Sequence, residues 1–289
     1  MKKLFNFLSV LGLSTLVAGC LVSCSKDESG KTSHPGMGVI EIIPEWRACE
    51  EAFQELPSTY RVQVGEMTKE METGNSCFPA LLPPKTYELT ACNEAAHVSV
   101  KGPVATVDQV EDSSLHASPG FLFSTRTEVT VLEDDTVRVT LPMKQHVRRL
   151  ALTVFLHGDV GTVKSLTATL NGVAGSIRLF ESKLEGEAMT VKIPMAKISH
   201  TEGEFTGSCR ILGILPEEKA QLKLYVEYAD GQGQEVESDM TELFKDFKDG
   251  TETFSVEGEL EIEKQVDGCF HGTIIDWKKK DEYVEIENK

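Results

Sequence analysis

Two cysteines at the end of an apolar leader carry the clearest chemistry in this chain. Cys20 and Cys24 follow a cationic start, Met1-Lys2-Lys3, and an uncharged run from Leu4 to Ser23. A short basic start, an apolar run and small residues before a cysteine form the layout of a cleaved bacterial lipoprotein signal, after which the cysteine thiol is lipidated. We therefore expect residues 1–23 to be removed and a lipid to be attached to the first mature cysteine.

The residues after each cysteine distinguish the two candidates. Cys20 precedes apolar Leu21-Val22, whereas Cys24 precedes Ser25-Lys26-Asp27-Glu28, a charged stretch that would leave the membrane surface cleanly. The pattern favours Cys24, with Cys20 as the alternative. A retained membrane helix and ordinary secretion are the alternatives to a lipoprotein signal, because an apolar run of this length could also span a bilayer.

Charge excludes several kinds of partner. Loss of Lys2 and Lys3 with the leader reduces the 29 basic residues to 27, against 46 acidic residues, so the mature net charge is −19. Binding to nucleic acid or direct adsorption to anionic lipid depends on Lys and Arg neutralising phosphates, and this chain repels both. We expect no nucleic-acid partner, and we expect acyl chains to hold the protein at the membrane.

Catalytic and metal-binding motifs are absent from the sequence. It contains no His-Glu-x-x-His, Gly-x-Ser-x-Gly, Walker or EF-hand motif, and its seven histidines occur singly. The mature cysteines other than Cys24 lack Cys-x-x-Cys spacing, and their odd number rules out a complete disulfide framework; they are Cys49, Cys77, Cys92, Cys209 and Cys269. A bridge among the first three and buried free thiols are both open. The sequence predicts no enzyme, no metal site and no cofactor.

Alternating apolar and polar residues predict that strands position whatever site exists. One run alternates apolar and other residues, with the apolar positions at Leu150, Leu152, Val154 and Leu156. In 254–262 the apolar residues alternate in the same way with polar residues, most of which are glutamates. Turn pairs such as Asn171-Gly172 separate many such runs. Short strands at this spacing predict β-sandwich architecture.

Helix is expected to be scarce. Asp239–Lys248 places Leu243, Phe244 and Phe247 on one face and predicts a short helix that stops at Gly250. A second stripe fits either a helix or a strand that runs into a loop; its residues are Trp46, Cys49, Phe53 and Leu56. Both stripes are expected to lie in the core rather than to contact a cofactor.

Length and pattern predict two domains after the leader. The expected division is a signal peptide at 1–23, a lipidated tether at 24–37, an N-terminal β-sandwich at 38–145, a C-terminal β-sandwich at 146–277 and a tail at 278–289. The boundary falls where one strand ends in Leu141-Pro142-Met143 and the next begins after His146.

With the strands in order, the chain resembles a known family. The segment from Leu82 to Glu94 resembles that family's strand in which a proline turn feeds a Thr-Tyr strand ending in Asn-Glu; Phe121–Ser124, Thr140–Lys144, Arg149-Leu150 and Ser165–Ser176 fit the same pattern. The family is the fimbrillin-like lipoproteins of Bacteroidales, in particular the anchor-type subunits of type V pili. The resemblance implies two tandem transthyretin-like (Greek-key) β-sandwiches, lipidation at the outer membrane, and pilin partners joined by strand exchange.

The resemblance also suggests roles for both ends of the chain. Lys26, Asp27 and Glu28 resemble the signal that exports Bacteroidales lipoproteins to the cell surface; the alternative is a solvated tether. Gly272–Trp277 is similar to the family's closing Gly-x-Ile-x-Asp-Trp motif. After it, Val284 and Ile286 alternate with Tyr283, Glu285 and Glu287, so this segment is a candidate donor strand for a pilin.

Alternatives to strand donation are an edge strand of the chain's own sheet and a frayed terminus. Stalk pilins of this type are cut after an N-terminal arginine; Arg47 is the first arginine here, and we expect no cut, because an anchor that stays lipidated does not need one. The sequence therefore predicts a structural or adhesive fimbrial subunit on the cell surface, where host or bacterial surface ligands are further partners. A glycan-binding lipoprotein of a nutrient-uptake system and a surface hydrolase are the alternatives.

Overall fold

The computed structural model describes residues 36–264 and 269–280, and strands make up most of them. The first strands are β1 Val39–Arg47, β2 Thr59–Val64, β3 Met67–Glu72, β4 Ser76–Cys77, β5 Lys85–Cys92, β6 Val98–Lys101, β7 Val104–Val107, β8 Phe123–Val131 and β9 Thr136–Gln145. The later strands are β10 Arg148–Gly158, β11 Val163–Arg178, β12 Lys183–Ile193, β13 Met195–Lys197, β14 Glu204–Ile211, β15 Gln221–Tyr228, β16 Gly233–Asp239, β17 Phe254–Lys264 and β18 Phe270–Lys279.

Helix is scarce in these two ranges. An α-helix, α1, spans Glu50–Gln54, and two 3-10 helices span Val160–Thr162 and Phe247–Asp249. Within the described part of the chain, none of these is long and apolar enough to cross a membrane. The prediction of an all-β sandwich fold is confirmed.

Seven strands from the first half of the chain form a sheet in the order β3-β2-β5-β8-β9-β1-β4. β8 and β9 are paired only through Phe123–Ser124 and Lys144–Gln145, so the sheet bends at that point. The two parts face each other, because the ring of Trp46 in β1 packs edge-on against Tyr60 in β2 with centroids 5.6 Å apart. The sheet thus closes over its own buried side chains as a sandwich.

Two further sheets are built mostly from the second half of the chain. Their orders are β13-β14-β10-β17-β18 and β16-β15-β11-β7-β6, with β12 also paired to β11. β10 and β17 run parallel, with Leu150 opposite Phe254, whereas β18 runs antiparallel with Lys279 opposite Val256. The start of β10, the start of β17 and the end of β18 therefore lie at one end of the sheet, beside the linker from β9.

The hairpin of β6 and β7 lies across the predicted domain division. These strands precede residue 145, yet β7 pairs with β11, and Ala105 lies opposite Ile177. Backbone hydrogen bonds therefore connect the first half of the chain to a sheet of the second half. The division at 145/146 stays a prediction.

The alternating patterns explain which faces are buried. Leu150, Leu152, Val154 and Leu156 of β10 are all buried. In β17 the apolar residues are buried and the glutamates between them are at least partly exposed, with the Glu257 carboxylate paired to lysines of the β18 end. A strand with one face buried has this two-residue period.

The predicted helix at Asp239–Lys248 is wrong. The segment forms successive turns that lead into the 3-10 helix at its end, and its backbone hydrogen bonds join residues three or four apart in an irregular series. Phe244 and Phe247 are nevertheless buried, because their rings pack 5.2 and 5.3 Å from that of Phe254. The aromatic cluster, rather than a helical ladder, holds this segment against β17.

The stripe from Trp46 to Leu56, for which a helix and a strand running into a loop were both open, contains a strand end and a helix. β1 ends at Arg47, and α1 begins after Cys49, whose Sγ accepts a hydrogen bond from the Ala52 N–H at 3.4 Å. Trp46 therefore belongs to a strand, and Phe53, which is 60% exposed, belongs to the helix. Phe53 was expected in the core and is not there.

Four of the mature cysteines form no disulfide bond among the described residues: Cys49, Cys77, Cys92 and Cys209. All except Cys77 are buried. Burial raises the pKa of the Cys209 thiol to about 12, and it also raises the pKa of Cys92. Neutral buried thiols behave as small apolar core residues, so the buried-thiol interpretation holds for these three.

Replacement of Gly258 by alanine should destabilise the fold. Gly258 in β17 lies opposite Trp277 in β18, and an added Cβ would fall 2.1 Å from the indole ring. Overpacking of this kind costs about 1–3 kcal/mol of unfolding free energy, measured by urea denaturation. Gly74→Ala is the control, because open space surrounds that position. Equal urea midpoints for the two variants would contradict the packing assigned to Trp277.

Candidate functional site

The residues that the sequence singled out for lipidation, export and strand donation lie outside the described residues. These are Cys24 with its alternative Cys20, Lys26–Glu28, and Tyr283–Glu287. They stay predictions. The structure describes the points at which the chain joins these segments, Gly36 and Lys280, and the surfaces around them.

The chain joins the fold at the turn between β8 and β9. The Gly36 N–H donates to the Asp134 carboxylate at 3.1 Å, and the Val39 N–H donates to the Asp135 carbonyl at 2.9 Å. β1 then runs parallel to β9 toward the junction between the two halves of the chain. The predicted tether therefore attaches beside the start of β9, and the junction lies at the other end of that strand.

β1 is an integral strand of this sheet, since it lies between β9 and β4. Ile40 and Ile42 are fully buried, and the Trp46 ring packs 5.3 Å from that of Phe123. Arg47 is exposed and forms a 3.2 Å ion pair with Glu45. A cut after Arg47 would release β1 and uncover the core beneath it. The absence of a cut after Arg47 stays a prediction.

An ion-pair network joins α1 to strands of the second half. Arg210 of β14 donates to Glu51 at 2.8 Å and to Glu55 at 2.6 Å, and Arg149 of β10 donates to Glu51 at 3.1 Å. The Arg210 guanidinium also lies 4.0 Å from the centre of the Phe121 ring. Partly buried, multidentate arginine contacts of this kind fix geometry better than single surface pairs.

The network keeps its charges at neutral pH. Burial disfavours the charged form of Glu51, but hydrogen bonds from Arg210 and Arg149 outweigh it and lower the pKa of this carboxyl. Burial likewise acts against charge on Arg210, yet hydrogen bonds to Glu55 and Glu51 raise its pKa. The two halves of the chain are therefore connected by groups that remain ionised.

His146, in the linker between the halves, forms a buried pair with Ser124 of β8. Nε2 of His146 is 2.7 Å from Oγ of Ser124, and both side chains are buried. Burial, with a contribution from the Lys144 charge, lowers the pKa of His146 to about 4. Such a pair can activate a nucleophile, but here both side chains are buried. The pair instead makes the linker sensitive to acid.

A groove of about 700 Å³ opens beside this linker. Its apolar residues come from the end of β11, the start of β12, the β14–β15 loop and the turns before β17; they are Ile177, Leu184, Leu212, Ile214, Leu215, Pro216, Phe244 and Phe247. Its charged residues are four lysines and two glutamates, namely Lys144, Lys183, Lys245, Lys248, Glu181 and Glu218. On a chain with a net negative charge, this groove is a local concentration of positive charge around an apolar floor.

Arg148 fixes one wall of the groove. Its guanidinium donates to the backbone carbonyls of Glu252 and Phe247 and lies 5.2 Å from the centres of the Phe247 and Phe254 rings. The turns before β17 are thereby held against the start of β10. The sequence offered no signal for this contact, because β10 and the turn residues are about 100 positions apart.

The groove residues were missed at the sequence level, although Phe244 and Phe247 were recognised as an apolar stripe. No pattern indicated that this stripe would meet the lysines of β9 and β12. Groups of three or more histidine, cysteine, aspartate or glutamate side chains arranged to hold a metal are absent from the described ranges. The absence of a metal site and of a cofactor stays a prediction for the whole chain.

A sequence model of one family matches most of the chain. The family is described as fimbrillin-A associated anchor proteins Mfa1 and Mfa2, and the match spans residues 60–283. No curated protein matches the sequence at a significant level.

Several solved structures have the same fold. The fimbrial anchor protein Mfa2 from Porphyromonas gingivalis aligns with a TM-score of 0.56 and 9% identity, covering 84% of this chain and 97% of that one. A candidate adhesin from Bacteroides ovatus ATCC 8483 gives 0.56 and 15%, covering 86% and 96%. A candidate polysaccharide-binding protein from Bacteroides thetaiotaomicron VPI-5482 gives 0.53 and 9%, covering 84% and 98%. At these identities the likeness establishes the fold alone.

Acid should destabilise the protein through His146. The histidine must be charged in the unfolded chain below about pH 6.5 but resists protonation in the fold until about pH 4. The unfolded state therefore binds more protons in this window, and unfolding free energy falls as pH falls, by about 2–3 kcal/mol at pH 4.5. Urea denaturation across pH 4.5–7.5 measures this.

His146→Gln should remove that part of the pH dependence, whereas His200→Gln, at an exposed position, should keep it. Parallel pH profiles for wild type and His146→Gln would show that the linker histidine does not govern acid sensitivity.

Proposed function

Since this chain belongs to the family of fimbrillin-A associated anchor proteins Mfa1 and Mfa2, we propose that it anchors a fimbrium to the outer membrane and joins a pilin subunit by strand exchange. Family membership gives the coarser role, a fimbrial subunit or adhesin of structural rather than enzymatic type. The single observation that carries the proposal is the family match over residues 60–283, which includes strands from all three sheets.

The membrane attachment is the lipid on Cys24. The described fold begins at Gly36, so the 11 residues 25–35 separate it from Cys24, and this stretch reaches at most about 40 Å when extended. With a net charge of −19 after removal of the leader, the protein surface does not bind anionic lipid, and acyl chains supply the affinity. Lys26, Asp27 and Glu28 act in this proposal as the signal for export to the outer surface.

The link to a pilin is the C-terminal tail. Strand exchange needs a segment whose backbone completes a partner's sheet while alternate side chains fill its pockets. Val284 and Ile286 supply the apolar positions, and they alternate in the sequence with Tyr283, Glu285 and Glu287. The predicted tail begins at residue 278, but β18 continues to Lys279, so the part of the tail beyond this strand starts at Lys280.

A glycan-binding role in nutrient uptake is the alternative. Proteins that bind glycans commonly use exposed aromatic platforms. Trp46 and Trp277, the only tryptophans of the sequence, are partly buried and packed against the core. The likeness to a candidate polysaccharide-binding protein is a likeness of fold. The fimbrial role is therefore the better supported of the two.

Cys24→Ser should abolish attachment to the outer membrane. Without the thiol no acyl chain is added, and the amount in the outer-membrane fraction should fall by about tenfold or more. Cys20→Ser is the matched control and should fractionate as wild type, with an unchanged lipid mass on the N-terminal peptide. The reverse result would assign the lipid to Cys20, and full attachment of both variants would contradict a lipid anchor.

Acidic substitutions on one face of the tail should release fibres from cells. Val284→Asp with Ile286→Asp places charges in apolar pockets of the partner, and each buried unpaired carboxylate costs several kcal/mol. Fibres should then appear in the medium rather than on cells, as quantified by immunoblot of both fractions. Glu285→Gln with Glu287→Gln changes the other face and should retain fibres. Retention by both double variants would contradict strand donation by this tail.

A further inference from the structure

The position and chemistry of the junction groove suggest a role beyond strand donation. Its apolar floor is lined mostly by buried side chains, among them Leu212, Leu215 and Phe244, and it opens between lysines beside the linker that joins the two halves of the chain. Three of the four lysines, Lys144, Lys183 and Lys248, form no ion pair with any described residue; Lys245 pairs with Glu242. The groove also contains Glu181 and Glu218, so its four lysines leave a positive excess at this site on a strongly acidic protein.

The chain reaches its last described residue close to this groove. The Lys280 N–H donates to the Ser255 carbonyl at 3.0 Å, and the neighbouring residue Phe254 packs 5.2 Å from the ring of Phe244. Phe244 lines the groove. Phe254 thus connects the strand to which Lys280 is bonded with one residue of the groove floor. The nine residues 281–289 can extend up to about 30 Å.

The tail is complementary to the groove in charge and in pattern. Residues 281–288 contain four carboxylates and no basic residue, and Val284 and Ile286 are spaced to lie on one side of an extended segment. In an extended segment laid along the groove, that side would match the apolar floor, and Glu285 and Glu287 on the other side would be available to the lysines around it. Complementary charges favour this register over one that would place the carboxylates on the floor.

We propose that the tail, residues 281–289, docks in the junction groove of its own chain. The docked state shields Val284 and Ile286 from water and prevents the tail from pairing with exposed sheet edges of other proteins. A partner that takes the tail must then displace it from the groove. The proposal concerns the isolated subunit, so it can be tested independently of strand donation to a pilin.

The test is photo-crosslinking of the full-length protein, purified in detergent at low micromolar concentration. Tyr283 is replaced by p-benzoylphenylalanine, and the products are mapped by mass spectrometry. The expected product is an intramolecular crosslink to groove residues such as Leu215 or Phe244, with a yield that does not depend on protein concentration and falls at high salt.

Charge reversal sharpens the test. Lys183→Glu with Lys248→Glu should lower the intramolecular yield by about tenfold, since two favourable charge contacts become repulsive. Lys69→Glu with Lys101→Glu is the matched control, because these lysines are exposed on strands outside the groove and also lack ion pairs among the described residues.

Three results would overturn the proposal. Crosslinks between chains that increase with concentration would show that a second copy is the occupant. Crosslinks elsewhere on the same chain, or none, would show that the groove does not hold the tail. An unchanged yield after charge reversal in the groove would show that the lysines do not recognise it. Fibre release by tail variants is a separate readout, so failure of this proposal and failure of the anchor function are distinguishable.

Discussion

The buried guanidinium of Arg148 is the contact on which the junction depends. It stands at the first residue of β10 and holds the turns before β17 through backbone carbonyls and two aromatic rings. A charged group in this position is costly unless its donors are satisfied, and here the carbonyls of an otherwise irregular segment satisfy them. Because those turns supply Phe244 and Phe247, the same contact sets the shape of the groove and the end of the sheet where the chain exits.

The two ends of the described chain are separated by this arrangement. Gly36 is bonded to the β8–β9 turn, while Lys280 is bonded to the start of β17, next to the junction. The ion pairs of Arg210 and Arg149 with α1 connect the two halves of the chain between these points. A subunit held by lipid at one end and offering its tail at another would transmit force through β1, β9 and this junction, which are all integral to the folded core.

Much of the fold could be predicted from the sequence because strand burial is local information. The two-residue period of β10 and β17 predicted which side chains are buried, and the structure places them in the core. The prediction of a helix at Asp239–Lys248 was wrong because long-range contacts determine this segment. Phe244 packs against Phe254, and Phe247 packs against Arg148. Pairing of β7 with β11 and the meeting of Lys183 with Phe244 around one groove are likewise long-range, and no local pattern specifies them.

We propose that this family member holds a fibre at the cell surface through strand exchange. The most direct measurement is an affinity purification of the lipidated protein from its native outer membrane, resolved by electrophoresis with and without boiling. Since sheet-completing strands dissociate slowly, the account predicts a ladder of complexes with pilin subunits that collapses to single subunits on boiling. A lone monomer without boiling, or stoichiometric recovery with a nutrient porin in place of pilins, would contradict it.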